Sequence, residues 1–171
     1  MKLHDESIEY VIELAEDAIM DGDCQKGKGM LESILMEEPG YARAHASLAW
    51  MYQYYMDNDA MASRYYSHAI HFDPSNRYAY EQLMELYMKN RMYRVIELMM
   101  KKAMKHEGIP IEYIQEILGR AKEGQGEYKE AISYYRKVLM SCMDNEDMSE
   151  LKKNIRRCRF KRLRTMKILP S

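Results

Sequence analysis

The chain is short of the residues that stop helices. Four prolines and eight glycines among 171 residues leave long stretches able to stay helical, and those present fall mostly where turns are expected. Cysteine is scarce as well. Cys24, Cys142 and Cys158 make an odd count with no Cys-x-x-Cys spacing, which argues against a disulfide framework and fits a reducing, cytoplasmic setting. Long apolar runs are missing: no segment approaches the roughly 20 apolar residues a bilayer span needs. The opening stretch MKLHDESIEYVIELAEDAIM carries acids where a signal sequence needs an apolar centre, so export is not expected.

Motifs for chemistry are absent too. No serine or cysteine sits in a nucleophile motif, and Gly27-Lys28-Gly29 lacks the flanking Gly and Ser/Thr of a phosphate loop. His68 and His71, three apart with Asp73 nearby, could present two imidazoles together, but no third ligand falls on the same face. His4, His45 and His106 are scattered, and paired acids such as Glu37-Glu38 end helices. The expectation is a non-enzyme with no cofactor and no metal.

What the chain does have is period. A leucine recurs as Leu14, Leu48, Leu83 and Leu118, followed by Ala15, Ala49, Met84 and Gly119. A small position in the following helix reads Gly27, Ala62, Ile96 and Ala131, a large one Leu31, Tyr66, Met100 and Tyr135, and a further contact Ile34, Ala69, Ala103 and Val138. The steps are 34 or 35 residues throughout. Small side chains let paired helices cross closely and large ones fill the gap to the next hairpin. The apolar share of 47% and charged share of 31% are those of an ordinary soluble domain, and seventeen methionines and fifteen tyrosines suit helix interfaces. Helices are expected over Ser7–Met20 and Cys24–Glu37, with Gly27 at a close crossing, Gly29 without a packing reason, and one extra residue around Met56–Asn58.

Residues 42–76 carry the pattern most fully, with Leu48, Ala49 and Tyr52 on one helix, Ala62, Tyr66 and Ala69 on the next, and Asp73-Pro74 closing it. This order and spacing resembles a tetratricopeptide repeat, and the resemblance covers about residues 8–145. It implies an all-α, right-handed helical-hairpin solenoid of four repeats, about 8–41, 42–76, 77–111 and 112–145. Residues 148–171 follow as a basic amphipathic capping helix and tail.

The resemblance also implies a protein-binding scaffold, an adaptor, assembly factor or chaperone-like subunit, whose concave groove is lined by the first helix of each pair. Carried onto this chain, the groove places are Glu9, Ile12 and Glu16, then Arg43, Ala46, Trp50, Gln53 and Tyr54. The third repeat adds Tyr78, Glu81, Glu85, Met88 and Lys89, and the fourth Tyr113, Glu116, Arg120 and Glu123. Chaperone-binding members hold a carboxylate with Lys, Asn and Arg at places that here read Ile12, Glu16, Ser47, Tyr78 and Gln82, so that clamp is not expected. The glutamates favour a protein or peptide partner with a basic segment, anchored on Trp50, Tyr54 and Tyr78. The same aromatics and acids also read as interhelical packing and a solvated face.

The net charge of −1 hides a split. Residues 148–171 hold nine cations, Lys152, Lys153, Arg156, Arg157, Arg159, Lys161, Arg162, Arg164 and Lys167, against Glu150, for +8, leaving −9 on residues 1–147. Met148, Leu151, Ile155, Cys158, Leu163 and Met166 can share the apolar side of that helix. It reads as a cap, alone or meeting acids of its own chain or of a second copy in a homo-oligomer. Its alternatives are a nucleic-acid or anionic-membrane binding surface and a dedicated protein docking site. Lys105–Pro110, KHEGIP, has a faint likeness to the repeat ending of a related RNA-reading family, but it occurs once and the acidic body would repel a phosphate chain.

Overall fold

The computed structural model describes residues 2–106 and 108–168, with side chains described from Glu6 to Thr165. Among the described residues there are helices and no strand: α1 (Lys2–Met20), α2 (Cys24–Glu37), α3 (Ala42–Tyr54), α4 (Asp59–Phe72), α5 (Arg77–Lys89), α6 (Tyr93–Ala103), α7 (Ile111–Gly124), α8 (Tyr128–Ser141) and α9 (Asn145–Ile168). The fold is an all-α helical-hairpin repeat. It divides into two compact units, residues 1–86 and 87–171. In the first, α1 pairs with α2, α3 packs on both, and α4 pairs with α3; in the second, α6 packs on α7, α7 pairs with α8, and α9 lies on α8.

Three hairpins turn in the same way. After α1, α5 and α7 the chain passes through one residue of positive φ, Gly22 at 93°, Arg91 at 55° and Gly126 at 82°. The next amide reaches back five residues, Asp23 to Ala18, Met92 to Tyr87 and Glu127 to Lys122, which satisfies a carbonyl the helix end leaves open. The extra residue of the second repeat falls in its turn, where Asp57 takes the positive φ. Asp23 and Asn58 then cap α2 and α4 by accepting amide hydrogen bonds at 3.0 Å from Lys26 and Met61, and Asn76 does the same for Ala79 at 2.9 Å.

The repeat columns are the core. Leu31, Tyr66, Met100 and Tyr135 are fully buried, as are Ala62, Ile96 and Ala131. Leu48 and Leu83 are also fully buried and Leu118 nearly so, whereas Leu14 stays 40% exposed. The reason is local: α3 has the α1–α2 hairpin against it, and α1 has no hairpin ahead of it among the described residues. Ile12, Ala15 and Ile19 supply the buried face of α1 instead.

Gly27 and Gly29 separate cleanly. A Cβ on Gly27 would stand 2.5 Å from the Ala15 carbonyl oxygen, so this is where α1 and α2 cross closely, while one on Gly29 would meet nothing. Gly29→Ala is expected to stabilise by about 0.5–1 kcal/mol through helix propensity and chain entropy. Gly27→Ala should lose about 1–3 kcal/mol to overpacking in spite of the same propensity gain. Urea midpoints of the two variants test this; shifts of the same sign would refute the close crossing.

On α9, Leu151, Ile155 and Cys158 join Ala131, Ile132, Tyr135 and Val138 of α8 in one core cluster. Burial ends there. Leu163, expected on the apolar side, is 60% exposed. At about 1.5 Å per residue, the 24 residues of α9 outrun the 14 of α8 that cover it. The sequence pattern also missed Asn154, which is buried on the same side. The side chains of Met166 and Lys167 lie outside the described residues.

Candidate protein-binding groove

Of the groove residues expected in the first unit, Glu16, Arg43, Ala46, Trp50 and Tyr78 line a cavity of about 420 Å³ formed by α1, α3 and the start of α5, together with Met20, Ser47 and Asn76. Helical spacing explains the set: Arg43, Ala46, Ser47 and Trp50 follow one another at i, i+3, i+4 and i+7 along one face of α3. Polar groups tie this wall together. The Arg43 guanidinium donates to Glu9 and, at 3.5 Å, to Glu16; the Tyr41 hydroxyl donates to Glu9, and the Ser47 hydroxyl to Glu16 at 2.6 Å. The aromatic side is held as well, with Trp50 edge-on to Tyr55 at 5.0 Å and the Tyr54 hydroxyl donating to Gln82 at 2.9 Å. Tyr78 lies edge-on to Tyr66 at 6.2 Å, and burial pushes its phenol above the usual range.

Two expectations change at this point. Ile12 is fully buried, so it belongs to the core and not to the groove, because it shares a helix face with Ala15 and Ile19. The acids expected to draw in a basic partner are largely answered within the chain. Glu9 and Glu16 share Arg43, Glu81 accepts from Arg77 at 2.6 Å, and Glu123 is held by Arg157 and Lys161. Counting charges along a sequence does not reveal such pairs, which form only when helices stack. Gln53 is half-buried and its side-chain oxygen has no hydrogen-bond partner among the described residues, while Glu85 and Lys89 are exposed at the end of α5.

In the second unit, Met88, Arg120 and Glu123 line a separate cavity of about 270 Å³ with Tyr93, Gly124, Tyr135, Arg157 and Lys161. Burial opposes ionisation of Glu123, but hydrogen bonds from Arg157 and Lys161 prevail and hold its carboxyl down at about 2. Arg157 meets it through two nitrogens, each at 2.7 Å, and Lys161 at 2.9 Å. Two residues read as basic surface therefore serve an acid read as groove. Tyr113 is half-buried on α7, and Glu116 is half-buried with its carboxyl raised, mainly by that burial. Lys152, Arg156, Arg159, Arg162 and Arg164 are exposed on α9, and Lys153 is exposed and paired with Glu150 at 3.2 Å.

Two features carried no sequence signal. Lys122 bridges Glu97 at 3.0 Å and Glu127 at 2.6 Å, linking α6, α7 and the turn after it. His45 is buried, contacts the Pro39 carbonyl at 2.9 Å and stacks on His68 and Phe72. His68 is thus part of an aromatic stack, and His71 turns to Phe72. Among the described residues no three potential metal-ligating side chains gather. The Cys158 thiol is buried and pushed up to about 12, the reverse of a reactive thiolate. No described helix is long and apolar enough to cross a membrane.

No protein-family model and no curated protein matches the chain. Solved structures do. PilF of Pseudomonas aeruginosa is 21% identical with a TM-score of 0.70, over 94% of this chain and 71% of that one. A MamA structure is 19% identical with a TM-score of 0.62, over 89% and 79%. The N-terminal domain of stress-induced protein-1 from C. elegans is 21% identical with a TM-score of 0.53, over 66% and 93%. With the repeat columns, these likenesses place the chain in the tetratricopeptide-repeat fold.

Proposed function

We propose that this chain is a non-catalytic protein-binding scaffold that captures a partner segment in the groove of residues 1–86. The observation that carries this reading is the cavity of about 420 Å³ with Met20, Trp50 and Tyr78 on its apolar side and the Arg43–Glu16–Ser47 network on its polar side. Concave sites that combine an apolar wall with a few fixed polar groups are what an inserted side chain requires. Trp and Tyr are the residue types that dominate such interfaces. Because Arg43 already offsets the charge of Glu9 and Glu16, affinity comes from an apolar anchor, and a basic residue on the partner adds orientation and encounter rate.

The test is selection from a displayed peptide library against the intact chain. Selected peptides should share an apolar anchor residue, and Trp50→Ala should weaken them about tenfold or more. Peptides whose affinity is untouched by Trp50→Ala would remove the groove from the account. A second reading, binding of nucleic acid or an anionic membrane along α9, is favoured by the exposed Lys152, Arg156 and Arg164, which lie outside the Glu123 cluster. It requires that replacing these three by glutamine abolish oligonucleotide or anionic-vesicle binding, and that such binding in wild type fall steeply with salt.

A further inference from the structure

Two surfaces that the groove does not use match each other. The outward face of α1 carries Tyr10 at 62% exposure and Leu14 at 40%, apolar groups that a repeat array normally covers with a neighbouring helix. Glu6, Glu13, Asp17 and Asp21 are exposed beside them, and none has an ion-pair partner among the described residues. All six positions fall within one helical stripe, opposite Ile8, Ile12, Ala15 and Ile19. The face is therefore acidic and apolar at once.

The second surface is a cleft of about 500 Å³ between α8 and α9. Its apolar part is Ile132 and Met140, the latter 90% exposed. Lys129, Arg136 and Lys137 stand along the α8 wall, and Arg159 and Arg162 along the α9 wall; among the described residues no carboxylate lines the cleft. Arg157 and Lys161, on the other side of α9, are already spent on Glu123, but none of these five has a carboxylate partner among the described residues. Lys137 merely lies over the Tyr134 ring at 5.3 Å.

We propose that the outward face of α1 of one copy docks in the α8–α9 cleft of a second copy. Four acids would meet five cations, while Leu14 and Tyr10 would meet Met140 and Ile132. The contact extends what the fold already does internally: a hairpin's first helix lies on the helices of the hairpin before it, as α3 does on α1 and α2. A recessed cleft with an apolar floor and no aromatic lining suits a helix ridge better than stacked bases. The two faces are different patches, so the contact is heterologous, and each copy can offer one face while accepting another.

Sedimentation velocity from micromolar to millimolar concentration tests this on the full chain. Wild type should grow in mass with concentration and shrink as salt rises. Arg136→Glu/Arg159→Glu and Glu13→Lys/Asp17→Lys should each weaken self-association about tenfold or more. An equimolar mixture of the two should restore it, since each reversed face then meets its complement. All four side chains are exposed and free of ion pairs among the described residues, so helical content and unfolding midpoint should stay at wild-type values. If a reversal harms folding, the neutral pair Glu13→Gln/Asp17→Asn should still lower the association constant. Wild type that stays monomeric to millimolar concentration, reversals without effect, or a mixture that fails to associate overturns the proposal. So does a wild type that remains monomeric while binding oligonucleotides or anionic vesicles through Arg136 and Arg159, which would assign the cleft to phosphate groups.

Discussion

Replacing Tyr66 by alanine should cost about 4 kcal/mol of unfolding free energy, the range for removing a buried aromatic ring. Tyr66 is fully buried on α4 and occupies the large column of its repeat. Its ring meets that of Tyr78 edge-on, so truncation opens a cavity between α4 and the beginning of α5, under the wall of the proposed groove. The hydroxyl behaves differently. It makes no hydrogen bond of normal geometry among the described residues, although it stands near enough to Tyr78 for each to perturb the other's ionisation, and burial drives its own phenol far above the ordinary range. Tyr66→Phe should therefore change stability by less than about 1 kcal/mol, because an unpaired buried hydroxyl contributes little when removed with its desolvation cost. Guanidinium unfolding of both variants distinguishes ring from hydroxyl; comparable losses would mean that the hydroxyl is bonded after all.

The second large effect is electrostatic and depends on pH. Glu123 is only 9% exposed and meets Arg157 in two-point fashion, with Lys161 alongside. Glu123→Gln should destabilise the second unit by about 2–3 kcal/mol at neutral pH, allowing for the solvent around its half-exposed partners. The folded carboxyl sits below its ordinary value, so its contribution is complete above 4.5 and disappears as pH falls through about 2. The gap between wild type and Glu123→Gln should thus close across that interval. A gap that is constant with pH would mean that the carboxylate's charge is irrelevant to holding α9 against α7. Arg157→Lys should recover only part of the loss, since an ammonium cannot reproduce the two parallel bonds.

The groove residues show where reading a sequence reaches its limit. Arg43, Trp50 and Tyr78 could be named from the repeat positions alone, because spacing along α3 and α5 fixes which side chains share a face. Met20 and Asn76 could not, since each stands at a helix boundary and enters the cavity only through the way the next helix lies. Ile12 was readable as core from its own stripe, and its groove place came only from the family pattern. For α9, the apolar stripe ran through Leu163 to Met166, yet Leu163 is exposed, because how much of a helix is covered depends on the length of its neighbour.

By itself, then, the amino-acid order determined the helical hairpins, their 34- and 35-residue step and the side chains that fill the columns Leu31/Tyr66/Met100/Tyr135 and Gly27/Ala62/Ile96/Ala131. These follow from local rules: turn geometry at Gly22 and Gly126, helical periodicity, and the need for small residues where helices cross. Only the tertiary structure decided which charges remain available. Glu9 and Arg43 are 34 residues apart, as are Glu123 and Arg157, about one repeat in each case, so their pairing depends on how successive hairpins lie together. Coulomb attraction acts through space and not along the chain, so Glu9 and Glu16 close on Arg43 beside the groove cavity, while Glu13 and Asp17 of the same helix stay exposed with no ion pair among the described residues.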